Sequence, residues 1–117
     1  MTPSALSKNA NASTAWLRLW PYLSELGDVS ISEKSTCVHV DSAGAAFLGV
    51  HPRKSGVRLT IVLDHALEGD RIVKCEAVSK SRYHNEVDFL AADPVDAELM
   101  SWIEEAHNLR LQKRNHL

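Results

Sequence analysis

The stretch Val57-Arg58-Leu59-Thr60-Ile61-Val62-Leu63 decides the fold class. Val57, Leu59, Ile61 and Leu63 alternate with Arg58, Thr60 and Val62. That period of two gives a strand one face for a core and one for water. Upstream, Thr36 to Asp41 puts Val38 and Val40 on one side and Cys37 and His39 on the other, and after a Ser-Ala-Gly turn Ala45 to Val50 reads as a further strand. His51 to Gly56 contains Pro and Gly and reads as a loop. Downstream, Ile72 to Val78 and His84 to Leu90 complete a set of about five short strands. Short strands joined by short turns pair antiparallel rather than through crossovers.

Helical periodicity flanks this block. Trp16, Leu17, Trp20, Leu23 and Leu26 recur at steps of three and four after Ser13, which serves as an N-cap, and Gly27 suits the left-handed position that closes a helix. Pro21 lies inside. Either the helix kinks there or a turn ends at Trp20 and a new helix begins, and the kink is the reading adopted. At the other end Asp93 reads as an N-cap and Pro94 as the first helical residue, ahead of an apolar stripe of Leu99, Trp102, Ile103, Ala106 and Leu109. The expected architecture is therefore α+β: an antiparallel sheet of about five short strands with an N-terminal and a C-terminal helix packed on one face. Residues 1–12 read as a flexible tail, 13–110 as a single domain and 111–117 as a short basic tail. By alternation the uncovered face carries His39, Arg58, Thr60, Lys74, Glu76, His84, Glu86 and Asp88.

Composition narrows the function classes. With 117 residues the chain has room for one core, and 44% hydrophobic and 24% charged residues are globular proportions. No apolar run approaches the roughly 20 residues of a membrane span. The opening Met-Thr-Pro-Ser lacks the apolar segment of a secretory signal, so a cytoplasmic location is expected. Cys37 and Cys75 form no CxxC pair and are read as free thiols. The net charge of −2 conceals a basic middle and an acidic C-terminal region, since no Lys or Arg occurs from Asn85 to Leu109.

No GxSxG, GxGxxG or GxxxxGK[ST] motif is present, so no catalytic residue and no cofactor is assigned. His84 and Glu86 share a strand face that His39 or His51 could join, but neither HExxH spacing nor a CxxC partner accompanies them, and no metal is assigned. The positions that invite a function are basic. His51, Arg53, Lys54 and Arg58 surround one connection, and Lys80, Arg82, Tyr83 and His84 follow another. Guanidinium groups and ammonium groups hold phosphate, and an aromatic ring can stack on a base. The plainer reading of each cluster is solvated loop charge.

Three segments, HPRKSGVRLTIVL (51–63), RIVKCEAVSKSRYHNEV (71–87) and DAELMSWIEEAH (96–107), resemble in that order a bacterial and archaeal family catalogued as domain of unknown function 5655. The resemblance extends upstream over Trp16 to Val29. Pro52, Arg53, Lys54, Val78, Ser79, Arg82, His84, Asp96, Glu98, Leu99 and Trp102 occupy the family's typical places. The resemblance implies a small α+β domain, alone or fused to other modules such as nucleases, with no established activity. Where relatives often carry a basic, aromatic strand, this chain has His39-Val40-Asp41-Ser42-Ala43-Gly44-Ala45.

The leading expectation is a non-enzymatic binding module whose basic connections engage an anionic partner such as nucleic acid. The alternative is a protein-interaction domain, monomer or homodimer, meeting a partner through the polar face or a free strand edge. A third is a small-molecule site between sheet and helices lined by Trp16, Trp20 or Trp102, residues whose place on leucine stripes also suits a core.

Overall fold

A computed structural model describes residues 2–115, with side chains through Gln112. Among these the chain runs α1 (Ser4–Ser7), α2 (Ala10–Ser24), β1 (Ser30–Glu33), β2 (Val38–Ser42), β3 (Ala45–Arg53), β4 (Gly56–Leu63), β5 (Ile72–Ser79), β6 (Arg82–Leu90) and α3 (Ala97–Asn115). The strands form one open antiparallel sheet in the order β1-β2-β3-β4-β6-β5. The α+β class and the helix-flanked antiparallel sheet are as expected, with six strands rather than about five. The additional one is β1, whose Ser-Ile-Ser-Glu sequence offers a single apolar residue and no alternation to detect.

The alternation in β4 is realised in full. Val57, Leu59 and Ile61 are completely buried and Leu63 nearly so, whereas Arg58, Thr60 and Val62 are half-exposed. On their side lie Trp16, Leu19 and Leu23 of α2 and Leu99, Ile103 and Ala106 of α3. Each fully buried large aliphatic or aromatic side chain contributes about 1.5–3 kcal/mol relative to exposure. Trp16 stacks on Trp20 with ring centroids 5.4 Å apart. The tryptophan stripe thus builds core, while Leu17, expected on it, is 49% exposed.

Three boundaries differ from expectation. Residues 1–12 do not form a tail: Leu6 and Ala12 are fully buried, and α2 begins at Ala10. Asn9 displaces Ser13 as its cap, its side chain accepting from the amides of Asn11 and Ala12 at 2.9 and 3.1 Å. The helix continues through Pro21 without splitting. Gly27 follows it at φ 77°. The C-terminal helix starts at Ala97, because Asp96 accepts the Leu99 amide at 2.9 Å and takes the capping place expected of Asp93. Asp93 instead accepts the Leu90 amide, closing the turn that precedes Pro94. That helix also runs through 111–115, where a basic tail was expected; residues 116 and 117 lie outside the described residues.

The supposed His51–Gly56 loop is mostly strand. β3 continues through Pro52 to Arg53, pairing Pro52 with Val57, because β2 reaches only as far as Val50 on β3's other side. Beyond that point no ladder bond is asked of the proline nitrogen. The turn that remains, at 54–55, is held by α2: Asn9 Nδ2 donates to the Arg53 carbonyl at 2.8 Å and Asn11 Nδ2 to that of Lys54 at 3.0 Å.

Gly56 marks the tightest approach in the sheet. A Cβ there would meet the Phe89 carbonyl oxygen at 2.3 Å and the Leu90 Cα at 2.6 Å, both backbone atoms. Gly56→Ala is expected to destabilise the fold by about 3 kcal/mol, in the upper range for overpacking. Urea denaturation checks this, and a midpoint equal to that of the parent protein would contradict the pairing of β4 with β6.

Candidate functional site

The face of the sheet away from the helices is lined by the alternates of the buried residues. Across it the register aligns His39 with Gly49, Gly49 with Thr60, Thr60 with Glu86 and Glu86 with Lys74. A neighbouring row joins His51, Arg58 and Asp88, and another joins Val62, His84 and Glu76. The polar set expected from alternation therefore lies on one side.

A depression of about 330 Å³ opens on this face, with His39, His51, Thr60, Arg82, His84 and Glu86 among its walls. Gly49 makes room for it, since a Cβ there would stand 3.3 Å from His51 Nε2 and 3.4 Å from Thr60 Cβ. A glycine between strand-forming residues is the one sequence signal that could have located this floor.

The expected site residues divide. His51, Arg82 and His84 are brought together around the depression. Arg58 is already engaged, its guanidinium donating to both carboxylate oxygens of Asp88 at 2.7 and 3.2 Å. That hydrogen bond holds the Arg58 pKa up. Tyr83 pairs with Leu63 and Ala77 on the helix side of the sheet, opposite to His84. The basic turns themselves lie apart. Gly56 pairs with Leu90 and Leu63 with Tyr83, so Arg53 and Lys54 stand at one end of β4 and Lys80 at the other, about 23 Å away. A single clamp built from both turns is not formed.

What is formed is electrostatically unusual. Of the buried side-chain polar atoms that lack a hydrogen-bond partner among the described residues, two, Arg82 Nε and His84 Nε2, belong to this site. Burial, and then the nearby Arg82 charge, push the His84 pKa down. His51 is lowered as well, first by burial and next by Arg53. Arg110 of α3 joins from the rim. It donates to the Ala46 carbonyl at 3.0 Å, and its pKa is lowered by burial and then by Arg82. Two guanidinium groups and a neutral imidazole thus crowd one end of the face. Nothing local in the sequence reveals that α3 reaches the start of β3 and so brings Arg110 here.

A second cluster lies elsewhere. His65 Nε2 is 2.6 Å from Glu105 and 4.0 Å from Asp64, and the Glu105 hydrogen bond raises the His65 pKa. All three residues are exposed, and the contact fastens α3 to the segment after β4. His107, by contrast, is buried, bonding the Gly27 carbonyl at 2.8 Å and meeting Phe47 edge-on. It joins α3 to the end of α2.

The fold and this face describe a small α+β domain with a helix-covered core side and an uncovered, histidine-lined side. The chain belongs to the family described as Domain of unknown function (DUF5655), whose sequence model matches residues 5–110. No curated protein and no solved structure shows a significant match to it. Among the described residues no helix is long and apolar enough to cross a membrane.

Several of the residues on which the resemblance rests have structural work. Asp96 caps α3 and, with Glu98, holds the Arg71 guanidinium at 3.1 and 2.8 Å; Leu99 is core, and Trp102 lies under Arg71 at 5.4 Å. Arg82 and His84 have no comparable explanation.

Protonation of His84 reports on this arrangement. In an NMR titration His84 and His51 should both titrate below the ordinary histidine value of about 6.5. Arg82→Ala should move His84 upward, leaving His51 in place, because Arg82 depresses only the former. An unchanged His84 would separate it from Arg82.

Proposed function

We propose that the domain is a non-enzymatic binding module whose uncovered sheet face takes an anionic partner of nucleic-acid type, with Arg82 and His84 contacting phosphate. The observation that carries this reading is the pair of buried, unpartnered nitrogens, Arg82 Nε and His84 Nε2, beside a depression. Leaving a buried donor unsatisfied costs about 1–3 kcal/mol. One phosphate oxygen cluster would satisfy both and would relieve the repulsion between Arg82 and Arg110.

The wider surface suits an extended chain better than a compact ion. Arg53 and Lys54 at one end of the face and Lys80 at the other are about 23 Å apart, a span for phosphates several nucleotides apart along a single strand, with His39 and His51 as flat side chains between them. The exposed acidic residues Glu98 and Glu104 sit on α3, which covers the opposite face. On the uncovered face Lys74 and Arg82 stand among Glu76 and Glu86, so attraction of an anion is local to the Arg82 end and does not follow from the net charge of −2.

Fluorescence anisotropy with a labelled single-stranded oligonucleotide tests the reading. Log affinity should fall linearly with log salt, and Arg82→Ala should weaken binding about tenfold while lowering the salt slope by about 0.7. Binding should also tighten as pH falls from about 8 to about 6, since a bound phosphate favours the imidazolium form of His84 and the coupling is reciprocal. An absence of binding at low ionic strength, or an affinity indifferent to Arg82, would overturn the proposal.

A further inference from the structure

Strand β5, like the shorter β1 at the opposite edge, is left largely uncovered by the helices. It pairs with β6 alone, so its outer edge of backbone amides and carbonyls is unpaired within the described chain. The helices pack on β2, β3, β4 and β6. Every residue from Val73 to Ser79 is exposed, and two of them, Val73 at 48% and Val78 at 51%, are large and apolar. Natural sheets blunt such edges, and here irregularities between Ile72 and Lys74 and between Ala77 and Ser79 do so at both ends. Between them Lys74 to Ala77 runs in unbroken register against Glu86 to Tyr83, a straight segment that remains open.

That segment is complementary to itself. In an antiparallel pair with a second copy centred on Cys75, Lys74 faces Glu76 of the other chain twice over, and Val73 faces Ala77. Sliding the register by two residues places Lys74 against Lys74 or Glu76 against Glu76. Sliding it by one makes a helix-side residue such as Cys75 meet a residue of the other face, and the helix layers then fall on opposite sides. Opposite charges directly across a strand pair are favourable and like charges unfavourable, so the charge pattern selects the Cys75-centred register. We propose that the free edge of β5 pairs antiparallel with β5 of a second copy about a two-fold axis at Cys75, an inference independent of any ligand on the sheet face.

The symmetry has a geometric consequence. With the axis perpendicular to the sheet, both helix layers lie on one side and both histidine-lined faces on the other, joined in one continuous sheet. The Cys75 Cα atoms come within about 4.5–5.5 Å, inside the range a disulfide spans. Cys75 is exposed and free, so the pair is open to thiol reagents. Because the regular segment is short, the dimer is concentration-dependent.

Sedimentation velocity of the full chain under reducing conditions is the test. The protein should shift from single to double mass as concentration rises to hundreds of micromolar. Lys74→Glu or Glu76→Lys alone should hold it at single mass, and the double variant carrying both should regain the dimer. The double variant contains both changes against β6, so its recovery isolates the intermolecular pair from damage within the chain. Thermal unfolding of each variant confirms that the monomer is folded. Diamide oxidation at dimer-forming concentration should then yield a Cys75-linked dimer, abolished by Cys75→Ser. A parent protein that stays at single mass throughout, or folded single variants that dimerise as well as the parent, would overturn the proposal.

Discussion

The domain depends on one constraint: two long helices can cover only one face of a six-stranded sheet. Both rest on the inner face of β4, where Val57, Leu59 and Ile61 are wholly buried between them and the neighbouring strands. The largest buried side chains are drawn to that side, including Trp16, Phe47 and Phe89. The far side keeps what cannot be buried cheaply, and the edges beyond the reach of the helices stay bare. The exposed sheet face and the bare edges follow from this division of a small chain.

The uncovered side is not simply solvated. Arg58 and Asp88 neutralise one another, as half-exposed pairs do at little net gain. Arg71 is held by Asp96 and Glu98 and lies against Trp102, fastening the approach to β5 to the start of α3. Among the described residues Arg82 has no such partner, and Arg110 adds a second cation instead of a carboxylate that would satisfy it. A fold that pairs Arg58 and Arg71 with acids yet leaves Arg82 between a guanidinium and an imidazole carries stored electrostatic cost there, the kind of local disadvantage that accompanies binding sites.

Much of this was readable from the residues. Alternation in 57–63 identified the core strand and the membership of the polar face, because a period of two survives in a sequence whatever the strand order. The capping and tail boundaries were less legible. Asn9 competes with Ser13, and Asp96 with Asp93, and only the packing of Leu6 and Leu99 decides which oxygen meets an amide. β1 escaped because a short polar edge strand has no pattern. The arrival of Arg110 and His51 beside the Arg82–His84 pair was beyond sequence reasoning for a different reason: it arises from β6 lying beside β4 and from α3 reaching β3, contacts between residues far apart in the chain. The same topology puts the two basic turns at opposite ends of β4, a placement the sequence leaves open.

The central claim is that the Arg82–His84 end of the uncovered face is the binding surface. It is tested most directly by following the imidazole resonances of all six histidines during titration with a short single-stranded oligonucleotide at low ionic strength. The account predicts large shifts at His84, smaller ones at His51 and His39, and none at the buried His107 or at His65 beside Glu105. Shifts confined to His65, with His84 unmoved at saturation, would place the ligand elsewhere and contradict it.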